Sequence, residues 1–423
     1  MKPIFSLYGR RFLIFSALLF TATIALSYYI DPFSVYGRTY IINGKTVNSP
    51  GFTDQVKMGK ALAIAQRKPE ILILGSSRTS MGLSSHIASQ FFPEQNIYNG
   101  AFPGINIYEL LRYFQHTVAS APLKTAYIGL DFYQFHGGRP PEKSFREERL
   151  AVDINNQPAG SASADLLTTL FSVDAVFYSM KVALGLYKTT SDIYFPNGFI
   201  ANAAAGGWLE NFIHNEGSAY INKIYTVPAF TFNTVGDVLS SFDYFRKLVR
   251  LAHAQNIKLH FFISPSHARQ WEVIHQLGLW NKWEYWKQEM LRITQQEAQH
   301  YGQTAYPIYD FSGYSQYSTE SVPRTPDTRM HWYADSSHYR QALGTIIFTQ
   351  MLKEQSNSAF GRILNTKTID AHLRAIRADK LHYQASHAQD IADIRKLIEL
   401  RKKVVHTKTL NKPKPLILHL RAQ

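Results

Sequence analysis

A serine, a histidine and an aspartate that meet can run covalent acyl transfer. The histidine takes the serine proton, the aspartate orients the imidazole, and the serine oxygen attacks a carbonyl. Two stretches of this 423-residue chain offer those groups. Near the front, ILILGSSRTSMGL (Ile71 to Leu83) runs four apolar residues into Gly75, Ser76, Ser77, Arg78 and Thr79. Glycine allows a sharp reversal, and a small hydroxyl residue either caps the next helix or stands free as a nucleophile. Both roles are open for Ser77. Far along the chain, MHWYADSSHYRQALG places Asp335 three residues before His338, on a polar loop that enters an apolar helical pattern. That spacing lets the carboxylate hold one ring nitrogen and leaves the other for a serine. A second such pair, Asp379 and His382, sits in a charged helical pattern near the C-terminus and lacks that setting.

A parallel sheet is the element that gathers distant loops at one edge. The chain carries its rhythm. Apolar β-type runs at Ile71 to Gly75, Asn96 to Gly100, Ala126 to Phe132, Lys258 to Ser264 and Ala305 to Phe311 alternate with helical patterns. The helices are expected at Ile107 to Ser120, at Ser240 to Gln255, as one long element through the Trp-rich segment to His300, and at Tyr339 to Lys353. This alternation predicts an α/β fold, a parallel sheet covered by helices on both faces. Residues 133–234, rich in Gly, Ala, Asn and Pro, interrupt the rhythm and read as an insertion at the carboxyl ends of the strands, with a helix between Leu166 and Leu186. It serves as a ligand-facing segment or as a packing lid. Trp271, Trp280, Trp283 and Trp286 read as helix-packing residues rather than a sugar platform, and His267 in ISPSHARQ, at a strand's carboxyl end where it could line the site, reads as solvent-exposed.

Phe12 to Ile30 holds no charge, and its length at about 1.5 Å per residue nearly matches a hydrocarbon core about 30 Å thick. One transmembrane helix within residues 1–35 is expected. Lys2, Arg10 and Arg11 precede it, which puts the remainder outside the cytoplasm, and Tyr28 and Tyr29 suit the membrane interface. A cleaved signal peptide is the competing reading; the run is long for one, and no clean A-x-A site follows. The absence of cysteine excludes disulfides, thiolate metal sites and cysteine nucleophiles.

The formal charge of +14 is unevenly spread: residues 361–423 hold 14 Lys and Arg against 5 Asp and Glu. This tail reads as a basic, partly helical segment outside an α/β domain of residues 36–360, which should fold without it. Solvated helix faces explain such a run, and anionic lipid or glycan is a better partner for it than nucleic acid. Scattered histidines give no support for a metal site, and the acyl chemistry needs no cofactor.

Three blocks, taken in order, resemble the SGNH (GDSL-like) hydrolase superfamily: Gly75-Ser76-Ser77, then Asn99-Gly100-Ala101-Phe102-Pro103-Gly104, then Asp335-Ser336-Ser337-His338. They cover about half the chain in separated pieces. The resemblance implies a flavodoxin-like doubly wound sheet with Ser77 as nucleophile, His338 as base and Asp335 as its orienter. It further implies that the backbone N–H groups of Ser77 and Gly104 receive the oxyanion. One block departs from the pattern: where the family presents G-x-N-D, this chain has Gly129-Leu130-Asp131-Phe132. An ionised Asp131 cannot donate, so that contact is missing or comes from another group such as Asn99. Arg78 and Asp131 read as structural partners beside the site. One anchor and an outward domain also resemble the SGNH-like proteins that acylate envelope polymers. The expected function is therefore an extracytoplasmic acyl esterase or O-acyltransferase acting on an envelope carbohydrate, working with a membrane acyl-transfer partner where transfer prevails. The alternative is a catalytically silent SGNH-like module that binds a glycan or docks a partner.

Overall fold

Six strands form the central sheet: β1 (Ile71–Leu74), β2 (Ile97–Asn99), β3 (Thr125–Leu130), β4 (Lys258–Ile263), β5 (Ile308–Asp310) and β6 (Arg362–Ile363). Their spatial order is β6-β5-β4-β3-β1-β2, all parallel except β6, which runs antiparallel at the edge beside β5. This is the computed structural model of the chain, and it describes residues 2–410 other than 39, 43–44, 48–50, 52–54, 160–161, 187–191, 195–196, 203–206, 235, 237–238, 326–327 and 356–358.

The inner strands are buried on both faces, so they read as near-continuous apolar runs. Successive side chains still point opposite ways. Leu72, Leu74, Ile128, Phe261 and Ile308 enter one core, with Leu110, Phe114, Phe245, Leu248 and Trp286 from the helices above it. Ile71, Ile73, Tyr127, Phe262 and Tyr309 enter the other, with Ile87, Leu343, Ile347 and Phe348. The result is three layers, a sheet between two sets of helices. The first layer is α2 (Val56–Arg67), α5 (Ile107–Ser120), α9 (Ser241–Ala254), α10 (Ala268–Gln276) and α11 (Trp280–Tyr301). The second is α3 (Ser77–Gly82), α4 (Ser85–Phe91) and α12 (Gln341–Leu352). The expected single helix through the Trp-rich segment is two helices. Gly278, at φ +72°, terminates α10, and its N–H donates to the His275 carbonyl. All four tryptophans of that segment are buried.

Ahead of the sheet stands α1 (Lys2–Ile30), whose stretch Leu7–Ile30 is long and apolar enough to cross a membrane and is almost entirely unburied by protein. The chain leaves β3 into a long excursion before α9. It includes α6 (Ala162–Leu170), α7 (Val173–Ala183), α8 (Trp208–His214) and a π-helix at Asn215–Ile224. The helix expected between Leu166 and Leu186 is thus a pair, split where the Ser172 side chain caps α7.

The C-terminal segment departs most from expectation. Residues 361–410 do not form a separate tail. They supply β6 to the sheet, then α13 (Ile369–Ser386) and α14 (Ala388–Leu410), and Leu364, Ile369, Leu373, Ile376, Ile394 and Ile398 all belong to the first core. Buried polar links reinforce the docking. Asp310 at the end of β5 takes hydrogen bonds from Lys287 of α11 (2.7 Å) and from His372 of α13 (2.8 Å). Arg269 of α10 joins Glu216 (2.7 Å) to Asp390 of α14 (2.9 Å). The domain boundary placed near residue 360 therefore falls inside the packed body.

Candidate active site

At the carboxyl end of β1 the backbone turns through Gly75, at φ +151°, where a Cβ would lie 2.3 Å from Thr79 Oγ1; only glycine fits there. Helix α3 follows at once. Its N-cap is Ser76, whose hydroxyl accepts the N–H of Arg78 at 3.1 Å and donates to Asp131 Oδ2 at 2.5 Å. Ser77 is the first helical residue and is partly exposed. The two roles open to the serine pair are thus divided between neighbours: Ser76 caps, and Ser77 is left with a free-standing hydroxyl.

That hydroxyl meets His338. Ser77 Oγ and His338 Nε2 are 2.8 Å apart, and His338 Nδ1 lies 2.7 Å from Asp335 Oδ2. The loop carrying the pair is self-supporting. Ala334 N–H donates to the His338 carbonyl, Arg340 N–H to the Trp332 carbonyl, and Asp335 Oδ1 takes the N–H groups of Ser337 and His338 at 2.8 and 2.9 Å. One carboxylate oxygen therefore fixes the turn while the other faces the imidazole. The loop reaches β1 by crossing the end of β4, where His267 N–H donates to the Ser336 carbonyl and Tyr333 OH to the Ser266 carbonyl. Helix α12 then packs against α3 at Gly344, where a Cβ would stand 1.8 Å from the Gly82 carbonyl. That close approach brings the two halves of the site together.

Burial pushes the Asp335 carboxyl up, but the facing His338 and the two backbone N–H groups outweigh it and hold it below the ordinary carboxylate range. The group is an anion at neutral pH. It selects the tautomer with a proton on Nδ1 and leaves Nε2 as an acceptor for the serine proton. Chemically, the trio can deprotonate Ser77 as its oxygen attacks an electrophile.

Around it lies a second, sealed network. Arg78 donates to Asp131 Oδ1 (3.0 Å) and to Tyr220 OH (2.8 Å), and both Arg78 and Asp131 are almost wholly buried. Burial disfavours the Arg78 cation, but Asp131 and the surrounding tyrosine oxygens more than offset it, and its pKa rises. Asp131 is held further by the bond from Ser76. It is a structural counter-charge under the Gly75-Ser76-Ser77 turn. Tyr220 comes from the π-helix of the excursion, which carries no motif by which sequence could have found it. Ser337 completes the loop, donating to Asp335 Oδ1 at 3.0 Å.

Asn99, considered as a stand-in oxyanion donor, is wholly buried: its Nδ2 donates one hydrogen to the Leu83 carbonyl at 2.8 Å, and its Oδ1 accepts the Ala101 N–H at 3.0 Å. One sequence expectation needs correction here. His267 is fully buried rather than exposed, capping α10 and meeting the Glu320 carbonyl at 2.6 Å. Gly104, at φ +73°, lies beside the Glu142 side chain, in a loop stitched to the Gly75-Ser76-Ser77 turn by the Phe102 N–H to Gly75 carbonyl bond (3.1 Å). Asn106, Gln134, His136 and Tyr244 line a cavity of about 680 Å³ whose wall includes none of the trio. Among the described residues, no group of three or more His, Asp or Glu could hold a metal ion.

Comparison with models of protein families, with curated proteins and with solved structures finds no match for this chain.

Proposed function

We propose that this chain is an SGNH-like acyl esterase or O-acyltransferase, anchored by α1 with its α/β domain outside the cytoplasm, and that it acts on an envelope carbohydrate. The observation that carries the reading is the continuous hydrogen-bond line from Ser77 through His338 to Asp335. Three features support it. The strand order 2-1-3-4-5 is that of flavodoxin-like sheets, and the trio stands at the carboxyl ends of their strands. The Gly75-Ser76-Ser77, Asn99-to-Gly104 and Asp335-to-His338 blocks resemble the superfamily in order. Lys2, Arg10 and Arg11 precede the apolar helix, as they do when the N-terminus stays in the cytoplasm.

In this mechanism Ser77 Oγ bonds to the ester carbonyl carbon as its proton passes to His338 Nε2. The tetrahedral oxyanion is met by the Ser77 and Gly104 N–H groups. The carbon–oxygen bond to the leaving alcohol then breaks, and His338 returns the proton to that alcohol. Water or a sugar hydroxyl attacks the acyl-serine with His338 as base, which frees Ser77. Transfer to a sugar, with acyl groups handed over by a membrane partner, is preferred on the resemblance to polymer-acylating proteins.

A catalytically silent glycan-binding or partner-docking module is the second reading. Asp131 favours it, because a carboxylate committed to Ser76 and Arg78 supplies no oxyanion donor. Covalent capture by a serine-directed fluorophosphonate separates the two: the enzyme reading requires an adduct on Ser77, the silent reading none.

A further inference from the structure

Helices α6 and α7, joined through Phe171 and Ser172, carry a strongly apolar surface that continues just past the end of α7. Leu167, Phe171, Val173, Phe177, Met180, Leu184 and Leu186 are all exposed, Val173 at 84%. The pair is not isolated on the surface. Both helices contact α1, and the Phe171 ring packs on Phe20 with centroids 4.4 Å apart. Phe20 lies ten residues before Ile30, the outer end of the apolar stretch, or about 15 Å along the helix axis. In a hydrocarbon core about 30 Å thick, that is half the depth. Arg10 and Arg11 bound the uncharged run Phe12 to Ile30 at its other end, which places Phe20 near the middle of that run. A ring in contact with Phe20 lies at the same depth. Higher up, Tyr178 of α7 packs on Phe33 beyond the end of α1, so the pair descends along the anchor from its outer end.

We propose that the α6–α7 hairpin is embedded in the outer leaflet beside α1, its exposed face covered by lipid acyl chains. This rests on the membrane reading of α1 and is independent of the serine chemistry. Backbone in lipid must satisfy its own hydrogen bonds, and the turn between the two helices pairs several of its groups internally. Phe171 N–H donates to the Leu167 carbonyl, Ser172 N–H and hydroxyl to the Thr169 carbonyl, and Ala175 N–H to the Ser172 hydroxyl. Arg149, from outside the pair, donates to Thr169 Oγ1 at 2.7 Å, and from Leu166 to Met180 the single charged residue is Asp174. It sits in the first turn of α7, where the helix N-terminus favours an anion and offsets part of the cost of carrying a carboxylate to that depth. The protein would thus hold the membrane at two elements, which fixes the orientation of the domain above the lipid surface where a single helix would let it swivel.

The chain has no native cysteine, so single labels report single sites. The full-length variants Val173→Cys, Met180→Cys, Leu19→Cys and Lys124→Cys, each labelled with an environment-sensitive fluorophore, are reconstituted in phosphatidylethanolamine–phosphatidylglycerol vesicles. Some of the lipids carry a nitroxide quencher on the acyl chain. The label at Leu19 tests the anchor, and that at Lys124, at the amino edge of the sheet, reports bulk water. Quenching of Val173 and Met180 comparable to Leu19, with Lys124 unquenched, is the expected result. Val173 and Met180 behaving like Lys124 while Leu19 is quenched would overturn the hairpin and leave its apolar face to a protein partner. An unquenched Leu19 would overturn it together with the anchor, while serine labelling on the same preparation would stand apart from either failure.

Discussion

Ser77 Oγ stands 2.8 Å from His338 Nε2, although 261 residues separate them in the chain. Neither residue is brought there by its own helix alone. The glycine turn after β1 presents the serine, and the loop from β5 travels over the end of β4 before its aspartate presents the histidine. The pair is thus a property of the sheet edge.

Asp335→Asn isolates orientation from folding. The amide oxygen still accepts the N–H groups of Ser337 and His338 that hold the turn, but an NH2 group now faces His338 Nδ1 in place of the carboxylate oxygen. The wrong ring tautomer is then favoured. Fluorophosphonate labelling should slow by about 10³–10⁴-fold while the thermal midpoint moves little. Equal labelling rates in the two proteins would remove Asp335 from the mechanism.

Ser76→Ala should behave in the opposite way. It deletes the N-cap of α3 and the hydroxyl donor to Asp131, which costs about 1 kcal/mol for the cap and more for the short-changed carboxylate. Most labelling of Ser77 should survive at low temperature with a lowered midpoint. Complete loss of labelling at unchanged stability would mean that the nucleophile had been assigned to the wrong serine.

The strand runs ILIL and KLHFFI were legible because sheet cores demand continuous apolar residues. The D-x-x-H loop was legible because its spacing matches the reach of an aspartate to its own histidine. Other features were hidden for physical reasons. Net charge averages over all faces of a helix, so Arg374 and Arg377 masked the core-facing Ile369, Leu373 and Ile376, spaced four and three residues apart on the same helix. The role of Asp131 depends on Arg78, Ser76 and Tyr220, and that last partner is 89 residues further along, in a segment without a motif. His267 looked exposed because the Glu320 carbonyl that satisfies it arrives from a distant loop.

Truncation after Phe360 should unfold the domain. It removes Leu364, Ile369, Leu373, Ile376, Ile394 and Ile398 from the core, at about 2 kcal/mol each, against a usual margin of about 5–15 kcal/mol. It also strips His372 from Asp310 and Asp390 from Arg269. Circular dichroism of the truncated chain should show no cooperative melt. A cooperative transition near that of the full chain would restore residues 361–423 to the status of a tail.

Acid sensitivity should centre on Asp310. Burial raises its pKa, but Lys287 and His372 more than compensate, and the net shift is downward. A depressed carboxyl stabilises the fold above the ordinary aspartate pKa of about 3.9, where both states are ionised, and that stability drains away as pH falls and the unfolded chain binds the proton first. Asp310→Asn should cost about 3–5 kcal/mol at pH 7 by leaving Lys287 without its counter-charge. The gap between variant and wild type should narrow below about pH 4. A gap independent of pH down to acid unfolding would show that the carboxylate charge is not what holds the helices there.

The most direct measurement is mass mapping of the fluorophosphonate adduct on the full-length protein, with Ser77→Ala and His338→Ala beside it. The account predicts one adduct, on the peptide containing Ser77, absent in Ser77→Ala at a nearly unchanged melting temperature and strongly reduced in His338→Ala. No adduct on Ser77 in the folded wild-type protein, or an adduct that forms equally fast without His338, would contradict it.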